Sequence, residues 1–242
     1  MNYRIPTLVT LTAIVLFLSG CATRYPVRVD ALSAGGSQSL GRGATYELVS
    51  DTPGVEESEL FFKEVARALE PVLRNKGYSP AAEGSLPDFQ IAVDAHLSEP
   101  ITESQTYSEP VYSEFGGYMR SVRVPVVNAE GKVVRYAVSS YYVPRRSYHA
   151  GWVDQNRQYT VYDKILRLSA RKILDEKTLS DEIWAITIQM RTESTDYRSA
   201  LPYMLVAAGP YIGGHTDGEE VITITEDDDD LEAFKAKLAK DG

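Results

Sequence analysis

The chain has 242 residues and a formal net charge of −9, unevenly spread, since residues 219–242 hold nine acids against three lysines. That balance argues against nucleic acid, whose binding needs a basic face, and adhesion to anionic lipid is not expected beyond any covalent anchor. A single cysteine rules out an internal disulfide, so stability rests on packing, for which the length suffices.

Arg4 gives a positive start, Leu8 to Leu18 are apolar apart from Thr10 and Thr12, and Ser19 and Gly20 precede Cys21. This is the layout of an export signal. A membrane-spanning helix needs about 20 apolar residues, and this run is roughly half that. Leu18-Ser19-Gly20-Cys21 resembles the bacterial lipobox. The resemblance implies that residues 1–20 are a lipoprotein signal peptide cut on export, and that Cys21 is acylated, palmitate included, and anchors the chain. Stable attachment takes at least two acyl chains. The alternatives are a plain secretory signal with a coincidental cysteine, or a buried thiol. Ala22 stands where the lipobox family's inner-membrane retention signal places Asp, which implies the periplasmic side of the outer membrane in a Gram-negative cell.

Residues 21–44, with Ala34-Gly35-Gly36-Ser37 and Gly41-Arg42-Gly43, read as a flexible tether interrupted by a short strand-like stretch at Tyr25 to Ala31. A single α+β domain is expected over residues 45–225. Tyr46 to Val49 form a strand, and Ser58 is expected to cap a helix to about Lys76. Leu60, Phe61, Val65, Leu69, Val72 and Leu73 recur there at helical spacing, Pro71 should kink or break the helix, and Gly77 ends it. Phe89, Ile91, Val93, Ala95 and Leu97 alternate as a strand with one buried face.

Tyr107 to Tyr162 hold nine of the 16 tyrosines. Val122, Val124 and Val126, a turn at Asn128 to Gly131, and Val134, Tyr136, Val138 and Tyr142 describe a hairpin. Pro125 places the first of its strands at an edge or bulge. A second hairpin runs from Tyr159 to Ile173 and back from Ile183 to Arg191. Trp184, Ile186, Ile188 and Met190 share one face, and a change of phase predicts a bulge near Asp163-Lys164. Ser194 or Asp196 caps a second helix over Tyr197 to Ala208, stopped by Gly209-Pro210, and Val221, Thr223 and Thr225 form a last strand. Residues 226–242 read as an acidic, mobile C-terminal tail. The fold class expected is α+β, a mostly antiparallel sheet with two main helices packed on one face.

The lipobox, the Lys76-Gly77-Tyr78 turn, the strand with Trp184, and Leu201-Pro202-Tyr203-Met204-Leu205 running to Pro210-Tyr211-Ile212-Gly213 resemble an uncharacterised family of bacterial lipoproteins carrying a domain of unknown function. The resemblance spans most of residues 45–225. It implies a cell-envelope lipoprotein and brings no catalytic residue with it.

Asp94, His96 and His215 hold metal-binding groups, but their spacing matches no ligand motif. Asp227 to Asp230 lack the spacing and glycine of a calcium loop. No nucleophile motif is present. No catalytic residue, metal or cofactor is therefore expected. The tyrosine- and arginine-rich stretch, above all Tyr141, Tyr142, Arg145, Arg146, Tyr148 and Trp152, is the candidate binding surface, because these residue types are enriched at interfaces and aromatics also stack on sugars. Cross-strand pairing that only stabilises a hairpin accounts for the same residues. The expectation is a non-catalytic interaction module with an envelope protein or glycan partner. The alternative is an envelope hydrolase acting on glycan or lipid.

Overall fold

A computed structural model describes residues 23–34, 43–82, 84–175 and 178–240. The signal, Cys21 and the Gly/Ser run at 35–42 lie outside them. The chain forms two compact units, a body of residues up to Ile101 and from Thr160 onward, and an arm, Thr102–Tyr159. The span 45–225, expected as a single domain, runs through both units. The aromatic stretch forms a unit of its own in which no residue is buried.

The body is a large, mostly antiparallel sheet with three helices. Its strands are β1 (Arg24–Ser33), β2 (Thr45–Ser50), β3 (Ser79–Pro80), β4 (Phe89–Leu97), the second half of β8 (Arg146–Asp175), β9 (Thr178–Thr192) and β10 (Glu220–Thr225). They lie in the order β10-β1-β9-β8-β4-β2-β3. Strand β2 pairs in parallel with β3 and β4, as a strand, helix, strand unit requires.

One row of paired residues crosses four strands: Val27 of β1, Met190 of β9, Lys164 of β8 and Leu97 of β4. With period two, Val29, Ala31, Ile188, Ile186, Trp184, Leu166, Leu168, Ala170, Ile91 and Val93 share that row's face, and all are buried. The four residues from Trp184 to Met190 are core, as their alternation predicts.

Helix α1 (Leu60–Asn75) buries Phe62, Val65, Leu69, Val72 and Leu73 on one stripe. Its N-cap is Glu59, not Ser58. Glu59 Oε1 instead accepts from the Glu56 backbone N–H, and Ser58 bonds Glu56 Oε2. The helix runs through Pro71 as one element. It ends where the Gly77 N–H donates to the Arg74 carbonyl and, beyond it, the Tyr78 N–H donates to that of Leu73. The second bond needs the left-handed backbone of Gly77, at φ +90°, and Tyr78 is buried.

Helix α2 (Tyr197–Ala208) is capped by Asp196, which accepts from Arg198 N–H at 3.0 Å, and leads into a 3-10 turn at Gly209–Tyr211. Helix α3 (Asp229–Lys240) stands where a mobile tail is expected. Asp228 Oδ1 accepts from the N–H groups of Asp230 and Leu231, and acids fill the first turn while Lys237 and Lys240 fill the last. That is the charge order the helix dipole favours. Leu231 is fully buried, with Phe234 and Leu238 packed against the core.

The short strand expected at Tyr25 to Ala31 is present as β1, but it belongs to the sheet and does not interrupt a flexible tether. Val27, Val29 and Ala31 are too apolar to stay in water, and β9 and β10 pair on either side of them. The bulge expected near Asp163-Lys164 is absent. The β8–β9 register is unbroken from Tyr162 to Ala170 and shifts only beyond it. The change of phase arises because β8 crosses from arm to body, and Val161 and Asp163 are buried on the face opposite Lys164 and Leu166.

Candidate interaction surface

The arm contains β5 (Ile101–Phe115), β6 (Tyr118–Val127), β7 (Val133–Val143) and the first half of β8. Here β5 pairs with β8, and β6 with β7. The legs are joined at Gly116-Gly117 on one side and Pro144-Arg145 on the other, which makes a single two-stranded ribbon with its tip at Asn128 to Gly131. The junction is tight. A Cβ on Gly116, at φ +98°, would meet the Pro144 carbonyl oxygen at 2.1 Å, and Gly117 N–H donates to Val143 O at 2.8 Å. At the tip, Asn128 Oδ1 accepts from Glu130 and Lys132 N–H and closes the turn.

No residue of the arm is buried. A two-stranded ribbon is marginal in water because it has no second layer to cover its side chains. This one is held by cross-strand contacts. Ser108 donates to Asp154 at 2.6 Å, Tyr159 to Glu103 at 3.0 Å, and the Ser121 and Ser140 hydroxyls meet at 2.7 Å. His149 sits edge-on to Tyr112 and Trp152, with ring centroids 5.8 and 5.2 Å away. Such contacts set the register and leave the apolar surface open.

All six candidate residues are exposed, with Tyr141 at 45%, Tyr142 at 58%, Tyr148 at 57% and Trp152 at 64%. Arg145 pairs with Glu114 at 2.7 Å, both in solvent. The register divides them: Tyr141 faces Arg120 and Tyr142 faces Met119, so the two tyrosines lie on opposite sides of the ribbon. Beside Tyr142 run Met119, Tyr136 at 65% and Val138 at 70%, which complete an open apolar face. Residue-type reasoning passes over Val138 and Met119, although alternation already puts Val138 on the Tyr142 face.

Within the body, Asp94 Oδ1 lies 2.9 Å from His96 Nδ1. Among the described residues no group of three or more His, Cys, Asp or Glu side chains is placed to hold a metal. A groove of about 610 Å³ lies along α1, lined by Tyr46, Phe62, Lys63, Arg67 and Glu70. Among the described residues no helix is long and apolar enough to cross a membrane.

No family model and no curated protein matches the chain. Among solved structures it is similar to a PDZ domain protein from Parabacteroides distasonis, at 12% identity and a TM-score of 0.38, covering 89% of this chain and 42% of that one. The chain thus spans less than half of that protein's length, and a likeness so loose carries no argument about fold or partner.

Proposed function

We propose that this chain is a lipid-anchored bacterial envelope lipoprotein whose arm is a non-catalytic interaction module, carried by a body with helices over one face of its sheet. One observation carries the reading: a whole unit, Thr102–Tyr159, has no buried residue yet presents tyrosines, valines, Met119 and Trp152 to solvent. Apolar surface on that scale marks a site that something else covers. The lipobox-like Leu18-Ser19-Gly20-Cys21 supplies the anchor in this reading.

Two variants test the two halves separately. Cys21→Ser should leave the chain unacylated and released from membranes, as read by mass spectrometry and fractionation. Arg145→Ala with Arg146→Ala should weaken capture by the arm while the melt stays nearly unchanged, because exposed ion pairs contribute about 0–1 kcal/mol whereas an arginine desolvated by a partner contributes 2 kcal/mol or more. An acylated Cys21→Ser chain would refute the anchor. A double-arginine variant that unfolds without selective loss of capture would return the arm to a purely structural role.

A further inference from the structure

We infer that the tip of the arm, residues 118–146, docks on the anionic phospholipid surface of the membrane that holds the anchor. The inference rests on the lipid-anchored reading above and adds a second, non-covalent contact to it.

Charge is the first argument. The chain as a whole is −9, but the arm, 102–159, carries seven bases against five acids, a net +2, which leaves −11 for the rest. The tip concentrates the excess: over 118–146, Arg120, Arg123, Lys132, Arg135, Arg145 and Arg146 stand against Glu130, a net +5, of which the pairing of Arg145 with Glu114 just outside that range offsets one charge. Whole-chain acidity argues against lipid adhesion only while the charge is averaged. Separated into units, the body is repelled by an anionic surface and the tip attracted to it.

The residue types between the charges are the second argument. Met119, Tyr136, Tyr141 and Tyr142 stand exposed among the arginines. Tyrosine is amphipathic, and it gathers where hydrocarbon meets headgroups, with its ring in the apolar layer and its hydroxyl in the wet one. Arginine matches phosphate with a planar fork of donors. An acidic protein partner could be gripped by the same residue types and charge, and the vesicle experiment below separates the two.

Topology supplies the third. The row Val27, Met190, Lys164, Leu97 fixes which strand ends lie together. Strand β1 starts at Arg24, three residues before that row. The chain leaves the body at Ile101, four residues beyond Leu97, and rejoins it at Thr160, four before Lys164. The start of β1 and the two points at which the chain leaves and rejoins the body therefore share one end of the body's own sheet. Only Ala22 and Thr23 separate Cys21 from β1, a reach of roughly 10 Å. An anchor so short holds that end of the body at the membrane.

The experiment uses the exported chain from residue 21 with Cys21→Ser, so that the anchor plays no part and failure of the lipidation reading cannot imitate failure of this one. Co-sedimentation with phosphatidylcholine vesicles, with and without phosphatidylglycerol, should show binding only to the anionic vesicles, weakening as salt is added. The triple variant Arg120→Gln, Arg123→Gln, Arg135→Gln should lose roughly 100-fold in affinity. The matching arginine-to-lysine triple should retain most of it, which separates charge from damage to the ribbon. Equal binding to neutral vesicles, or none to anionic ones, overturns the inference. So does self-association through the tip, seen by sedimentation velocity and untouched by the glutamine variant, since the occupant would then be a second copy. An envelope protein captured by the tip with no vesicle binding likewise overturns it, while leaving the interaction module standing.

Discussion

Arg191 holds Asp163 by two hydrogen bonds across the β8–β9 ladder, Nε to Oδ1 at 2.6 Å and Nη2 to Oδ2 at 2.9 Å, where the two residues face each other. Asp163 is 6% exposed, and the guanidinium beside it holds its carboxyl below the usual carboxylate range, against the opposing effect of burial. Arg191→Ala should cost about 2–3 kcal/mol, less than the ~3–5 of a fully buried pair, because water reaches the arginine. The folded pKa lies below the unfolded value of about 3.9, so this contribution is complete above about pH 4 and is lost as pH falls through the folded pKa. Urea melts of the two proteins should converge in acid. A gap that stays constant with pH would contradict the pairing.

Lys164 occupies a core position on the same strand and is fully buried. Its Nζ donates to Thr192 Oγ1 and to Ser194 O, the latter at 2.5 Å, and so fixes the turn that feeds α2. Burial pushes its pKa down, with Asp196 pulling the other way. Below both pKa values the folded state bears the cost of a buried ammonium. As pH rises through the folded pKa that cost disappears while the unfolded lysine still holds its proton, so stability gains with pH. The gain of the native chain over Lys164→Met, followed by urea melts between neutral pH and about pH 10, should be positive. Parallel curves for the two proteins would count against a strained buried charge.

Trp184 is 2% exposed, and its indole N–H has no hydrogen-bond partner among the described residues. Trp184→Ala should cost about 3–5 kcal/mol from the cavity it leaves. Trp184→Phe should cost far less, because removing an unbonded buried N–H returns about 1–3 kcal/mol of desolvation. Thermal melts of the pair measure this, and an equal loss in both would mean that the N–H is satisfied after all.

Leu231 tests whether the acidic C-terminus is folded. Leu231→Ala should cost about 2–3 kcal/mol, the low end for a buried leucine, since a terminal helix can open without the rest. Amide exchange should speed up through α3 before it does so in β9. A melt and an exchange pattern that ignore the substitution would make this segment the tail its composition describes.

The parts of the fold that show in the sequence are those whose apolar period is unmasked. Trp184, Ile186, Ile188 and Met190 alternate without interruption, and α1 repeats its stripe for four turns. Leu231, Phe234 and Leu238 also recur at helical spacing, but four aspartates run into the first of them, and composition hid the period. Val27, Val29 and Ala31 alternate and read as a short strand, but the glycines after them made that strand look like part of a tether and not of the sheet. The candidate surface was legible as residue types. That its residues lie on a unit with no core was not, because alternation marks a face and says nothing about whether anything covers it.

Strand β1 lies between β9 and β10, and the Tyr25 hydroxyl bonds Glu226 across 201 residues of chain. The sheet therefore cannot close until β10 has arrived. Contacts so distant in sequence form late and slowly, since a long loop must be ordered before they return anything. Until then the first strand presents a bare apolar edge, the surface on which misassembly begins. A chain shortened before Glu220 would keep every residue of β1 and lose the neighbour that shields it, so truncation at one terminus should appear as aggregation at the other.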